Sequence, residues 1–184
     1  MTVFVAMLRS INVGGRNKVA MADLASLVIS LGFAEVSTYV QSGNVVFRGS
    51  GAAAAAGRAI GQALADQLSV TVPVLVRTEA QLAQVVRSCP DGDRDADLKT
   101  RHVTFFDRSP SAGAVRSLAA DAARFAPDRV EVVGDVAYLV CPGGYGVTTL
   151  HNTYLERRLE VTATTRNWRT VTTLANRARD LSAR

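Results

Sequence analysis

The order in which strand-like and helix-like stretches follow one another constrains this chain most. Residues 3–8 form an unbroken apolar, β-rich run and read as a buried strand. Met21, Leu24, Ala25, Leu27, Val28 and Leu31 then recur at the spacing of one helix face, and Gly32 supplies a helix stop. Residues 36–40 and 44–48 flank Gln41-Ser42-Gly43-Asn44, whose turn chemistry predicts a hairpin. Residues 52–68 predict a second helix; their run of alanines is helix propensity, not a motif. Residues 72–77 predict a fourth strand. The resulting order, β-α-β-β-α-β, is the ferredoxin-like arrangement.

The remainder reads in a similar way. Residues 78–88 predict a short helix, and 90–97 an acidic, turn-rich connector. That connector is the expected boundary between an N-terminal half, 1–90, and a C-terminal half, 98–184. In the second half, 102–106 predict a strand, 111–125 a helix, and 129–133 and 136–140 two strands joined at Gly134-Asp135. A glycine-rich loop, 141–146, precedes a helix over 150–159, and after 161–165 a last helix is expected over roughly 166–180. The fold class expected is α+β, with two ferredoxin-like (βαββαβ-type) halves, the second modified at its end, and a C-terminal helix. No residue-level repeat relates the halves.

The length of 184 residues suits one domain or two small ones with a true core. With 48% apolar and 20% charged residues the chain is not a disordered one. The net charge of +5 is concentrated towards the C-terminus, where Arg157, Arg158, Arg166, Arg169, Arg177, Arg179 and Arg184 face only Glu156, Glu160 and Asp180. Such a skew fits an anionic partner, or a solvated helix face in an arginine-rich protein. Cys89 and Cys141 each precede a proline and form no CxxC, and only His102 and His151 could add imidazoles, so no metal site and no cofactor is expected. Asp91, Asp93, Asp95 and Asp97 lack the glycine and terminal glutamate of a calcium loop. The first ten residues are too short and strand-like for a signal peptide, and no apolar run approaches the roughly 20 residues that span a bilayer. A cytoplasmic location with free thiols is the expectation, with no membrane partner.

Three segments combine glycine with polar side chains. The first runs from Arg9 to Lys18 and holds Asn12, Gly14, Gly15 and Arg16. A glycine pair between strand and helix lets backbone approach a ligand closely, and Arg9, Arg16 and Lys18 supply charge. The pair is neither a Walker A loop nor a dinucleotide fingerprint, so an ordinary turn is the alternative. The second is Tyr39 to Asn44, where Gln41, Ser42 and Asn44 offer neutral hydrogen-bonding groups. They could read bases or sugar hydroxyls, or satisfy their own turn. The third is Thr164-Thr165-Arg166-Asn167-Trp168-Arg169. Thr164 or Thr165 suits an N-cap, which would place Arg166, Asn167 and Trp168 in a first helical turn. Trp168 could stack on a base while Arg166 pairs a phosphate, or it could staple the helix to the core.

The stretches Leu8 to Leu24, Leu31-Gly32-Phe33, Thr38 to Phe47, Val72 to Arg77, Tyr145-Gly146 and Ala163 to Val171 resemble the bacterial domain-of-unknown-function family 1697. INVGG, QSGN and TTRNW in this order are specific, and the likeness runs from about residue 3 to residue 175. Ser10 departs from the pattern, which carries glycine after the arginine. The resemblance implies two ferredoxin-like halves, in agreement with the element order. It implies no activity, cofactor or substrate, and no functional residue is carried over.

The reading that follows is a protein binding an anionic ligand, either a nucleotide-like metabolite or a nucleic acid. Arg9, Asn12, Gly14, Gly15, Lys18, Tyr39, Gln41, Ser42, Asn44, Tyr145, Thr165, Arg166, Asn167 and Trp168 are the candidate contacts. One rival is an enzyme acting on a phosphorylated substrate, with His151, Tyr39 or Tyr145 in acid–base roles. Another is an interaction module docking through the small-residue helix at 52–68.

Overall fold

The computed structural model describes residues 1–15, 17–90 and 97–184. Arg16 and most of the acidic connector, with Asp91, Asp93 and Asp95, lie outside the described residues. The chain divides into two compact units, Met1–Gln84 with Thr173–Arg184, and Val85–Thr172.

In the first unit β1 (Thr2–Leu8), α1 (Met21–Ser30), β2 (Ala34–Tyr39), β3 (Asn44–Gly49), α2 (Ala53–Leu68) and β4 (Val74–Thr78) follow in order. The four strands form one antiparallel sheet in the order β2-β3-β1-β4. Side chains alternate across a strand. Phe4, Ala6 and Leu8 of β1 therefore share a face with Val45 and Phe47 of β3, and this face packs with Leu24, Leu27 and Val28 of α1 and Ile60 and Leu64 of α2. Each fully buried leucine or phenylalanine contributes about 1.5–3 kcal/mol. Val3, Val5 and Met7 on the opposite face of β1 are buried as well, which accounts for the unbroken apolar run.

Local chemistry sets the ends. Gly32, at φ 85°, turns the chain out of α1. Ser69, at φ 54°, ends α2 in the same left-handed way. Helix α2 runs close to β4, because a Cβ on Gly57 would stand 2.8 Å from the Val74 carbonyl oxygen. Strand β2 starts two residues earlier than its apolar pattern suggests and is irregular between Ala34 and Ser37, where Glu35 has φ 51°. The helix α3 (Glu79–Arg87) opens with a reciprocal cap. Gln81 N–H donates to Thr78 Oγ1 at 3.2 Å, and Thr78 N–H donates to Gln81 Oε1 at 2.9 Å.

The second unit repeats the plan with β5 (Arg101–Phe106), α4 (Ala112–Ala120), a 3-10 turn (Ala122–Phe125), β6 (Arg129–Val133), β7 (Val136–Val140), α5 (Asn152–Leu159) and β8 (Ala163–Asn167). Its sheet order, β6-β7-β5-β8, matches the first strand for strand. Phe106, Leu118, Phe125, Leu139, Leu155 and Leu159 meet in its core. The helix expected over 111–125 breaks at Asp121, and Ser111 caps it by accepting from Ala114 N–H at 3.2 Å.

The end of the second half differs from the sequence expectation. Thr164, Thr165, Arg166 and Asn167 are strand, paired with Phe105, Thr104, Val103 and His102 of β5. The β-branched threonines suit that half-buried strand. The N-cap role falls to Asn167, whose Oδ1 accepts from Thr170 N–H at 2.8 Å, so the last helix, α6 (Trp168–Ser182), starts two residues later than expected. From Thr173 onward α6 belongs with the first unit. There Arg48 Nη2 donates to the Leu181 carbonyl at 2.7 Å, and Arg177 lies 4.8 Å over the Tyr39 ring.

Candidate functional site

The first two polar segments meet in the first unit. Asn12 Nδ2 donates to the Gln41 and Val19 carbonyls, each at 2.9 Å, and Asn12 Oδ1 accepts from Val19 N–H at 2.9 Å. Leu8 N–H donates to the Gly43 carbonyl at 2.9 Å, and Arg9 N–H to that of Pro73 at 2.9 Å. Ser10, Asn12, Gly14, Gly15, Asn17, Val40 and Gly43 all have left-handed backbone, with φ between 48° and 76°. Val40 is the unusual member, because a β-branched residue resists that conformation, and it is exposed.

These loops divide into a bonded base and an open rim. Asn44 is fully buried, and its Nδ2 donates to the Tyr39 carbonyl at 3.1 Å and to Ser42 Oγ at 2.9 Å. Asn12, Ser42 and Asn44 thus hold the two loops in shape. Gly14, Gly15, Lys18 and Gln41 are exposed, and a Cβ at either glycine would meet nothing within 4 Å. The glycines serve their positive φ, not a close packing contact. Tyr39 and Arg9 are half-buried beside them.

The third segment lies in the second unit with Tyr145. Tyr145 OH donates to Thr165 Oγ1 at 2.9 Å, and Thr165 Oγ1 donates to Asn152 Oδ1 at 2.6 Å. With that proton committed, Thr104 is the donor in its 2.8 Å contact with Thr165 Oγ1. His102 stacks on Tyr145 at 5.0 Å between ring centroids. Its Nδ1 donates to the Thr100 carbonyl at 3.1 Å, which fixes the tautomer because a carbonyl only accepts. Burial holds the His102 imidazole below its usual pKa, and the Thr100 bond opposes that only in part.

Arg166 and Trp168 are interior residues. Arg166 is 9% exposed, and its Nη1 donates to Thr164 Oγ1 and to the Thr165 carbonyl, each at 2.9 Å. Burial pushes its pKa down to about 10, with nearby Tyr145 acting in the opposite direction. Trp168 is 9% exposed, and the Arg101 guanidinium sits 4.2 Å from the ring centroid. Arg101 also donates to Cys89 Sγ at 2.9 Å. The indole face is therefore occupied by a cation of the same unit. Asn167 is exposed and caps α6.

A feature that the segment-by-segment sequence reading passes over is a groove in the second unit beside α5. Asp121, Arg124, Phe125, Thr149, Tyr154 and Arg158 line a space of about 520 Å³. His151, Tyr154, Arg157 and Arg158 line an adjoining space of about 300 Å³. Its marks in the sequence are the Arg157-Arg158 pair in the last turn of a short helix and His151 at that helix's start. Among the described residues no cluster of three His, Cys, Asp or Glu side chains could hold a metal ion. No described helix is long and apolar enough to cross a membrane.

Residues 1–138 match the model of a family described as "Protein of unknown function (DUF1697)", and the chain belongs to that family. Among solved structures it is similar to the conserved bacterial protein SP0830 from Streptococcus pneumoniae. The TM-score is 0.75 at 20% identity, over 96% of this chain and 98% of that one. That likeness shows the fold, two four-stranded sheets with their helices. No curated protein matches the chain.

Proposed function

We propose that the protein binds an anionic ligand, a nucleotide-like metabolite or a nucleic acid, at the paired loops of the first unit. The observation that carries this reading is the concentration of left-handed backbone in loops clamped by Asn12, Val40 among it. Strain of this kind persists where surrounding structure over-determines it, and it gathers at ligand sites. Exposed Lys18 and Gly14-Gly15 offer a cation and accessible amides, while half-buried Arg9 adds a guanidinium beside them. Gln41 and Tyr39 supply hydrogen bonds and a ring edge for the uncharged part of the ligand. The chain's net charge of +5 favours encounter with such a partner. Two free, buried cysteines suit a reducing cytoplasm.

Calorimetric titration with ADP, a short single-stranded RNA and a DNA duplex, each at low and moderate salt, tests the reading. Saturable binding that weakens about tenfold in Lys18→Ala is expected, the effect of losing one charge-assisted contact. A small ligand gives a shallow salt dependence, whereas duplex DNA gives a log–log slope near −0.9 per phosphate neutralised. No binding to any of the three, or binding indifferent to both Lys18→Ala and Gln41→Ala, removes these loops as the site.

A further inference from the structure

The groove beside α5 points to a second, separate ligand. It draws on residues from two stretches of the second unit. Arg124 and Phe125 come from the 3-10 turn, and His151, Tyr154, Arg157 and Arg158 from the start and last turns of α5. Tyr154 and Arg158 line both spaces, so the two form one continuous wall. The larger space, about 520 Å³, falls in the range of small-molecule sites.

Its chemistry is one-sided. Three arginines line it against one carboxylate, Asp121. Asp121 is already engaged, since Arg158 Nη2 reaches its Oδ2 at 2.5 Å and Arg124 lies 3.6 Å from its Oδ1. Arg158 makes its hydrogen bonds through Nη2, to Asp121 and to the Ser117 carbonyl and hydroxyl. This anchoring fixes the guanidinium in place, and buried Arg158 Nε has no acceptor. Arg157 is exposed and has no intrachain partner among the described residues, and the same is true of the Tyr154 hydroxyl. His151 accepts from Tyr154 N–H through Nδ1 at 3.3 Å, which leaves the ring hydrogen on Nε2 as a donor. The groove therefore presents guanidinium, phenol and imidazole N–H donors, and its one carboxylate, Asp121, is already paired.

The floor is aromatic. Phe125 and Tyr154 meet edge to face at 5.6 Å, with Phe125 buried and Tyr154 half-buried. An aromatic ring next to the unpaired Arg157 guanidinium matches a ligand with a flat base at one end and a phosphate at the other. We propose that this groove binds a nucleoside monophosphate, its phosphate on Arg157 and His151 and its base against Tyr154. The site is independent of the loops of the first unit and needs nothing from them.

The test is an NMR titration of the whole chain with AMP, with adenosine and ribose 5-phosphate as partial ligands. Saturable amide shifts in α5 and the 122–125 turn are expected with AMP, and at least tenfold weaker binding with either partial ligand. Arg157→Ala, which removes an exposed and unpaired side chain, should weaken AMP about tenfold and leave the fold's spectrum intact. Arg157→Lys should recover part of that loss, and Lys18→Ala should leave this affinity unchanged. AMP binding that survives Arg157→Ala, adenosine binding as well as AMP, or no shifts in α5 at millimolar AMP would overturn the assignment. Sensitivity to Lys18→Ala alone would overturn it while leaving the first-unit site standing.

Discussion

The side-chain amide of Asn12 donates to the main-chain carbonyl of Gln41 at 2.9 Å, joining a strand-to-helix loop to a hairpin turn. The same side chain closes a two-way bond with Val19, accepting from its N–H and donating to its carbonyl. Asparagine is suited to this place, because it tolerates the φ of 56° and brings both a donor and an acceptor. Asn12→Ala removes all three bonds and leaves the N–H of buried Val19 without its acceptor. The expected cost is about 1–3 kcal/mol in a urea unfolding titration. Asn12→Asp restores the acceptor but sets a carboxylate against two carbonyl oxygens, so it should recover little. A change under about 0.5 kcal/mol in Asn12→Ala would mean that the loops are held without this clamp.

Two glycines one turn apart in α2 should respond in opposite directions to the same substitution. A Cβ at Gly57 would stand 2.8 Å from the Val74 carbonyl oxygen, a backbone atom that cannot swing away. Gly57→Ala is expected to destabilise by about 1–3 kcal/mol, as overpacking does. A Cβ at Gly61 would touch only Val74 Cγ2 at 3.8 Å, an ordinary contact. There the gain in helix propensity prevails, and Gly61→Ala should stabilise by about 0.5–1 kcal/mol. Thermal unfolding of the two variants beside the parent decides it. Equal effects of the same sign would refute the close approach of α2 to β4.

The element order was readable because the core of each unit is written locally. Strand β1 is buried on both faces and so spells a continuous apolar run, while α1 and α2 bury one face and repeat at helical spacing. The start of α6 was harder, because Thr164 and Thr165 suit a strand and an N-cap equally well in isolation. The pairing of Thr165 with Thr104, sixty-one residues away, decides it. Burial of a guanidinium leaves no local mark either. Nothing around Arg166 or Trp168 says that one is enclosed and that Arg101 covers the other. The α5 groove as a whole leaves no local mark for a related reason: Arg124 and Arg158 belong to different elements, and only the fold brings them to one wall.

Buried His102 should make the second unit sensitive to mild acid. In the unfolded chain its imidazole takes up a proton near pH 6.5, whereas in the folded chain its burial on β5, stacked on Tyr145, holds its pKa lower. Above about pH 6.5 neither state carries the proton, and stability does not depend on it. As pH falls below that value the unfolded state binds more protons, so stability declines until the folded-state pKa is passed, where the loss levels off. The measurement is the urea midpoint of the parent and of His102→Asn from pH 8 to pH 5. The parent should lose stability over the acid part of this range, and the variant, whose amide nitrogen replaces Nδ1 as donor to the Thr100 carbonyl, should lose less. Parallel curves would show that the imidazole is hydrated or charged in the folded protein, and that its stack on Tyr145 does not exclude water.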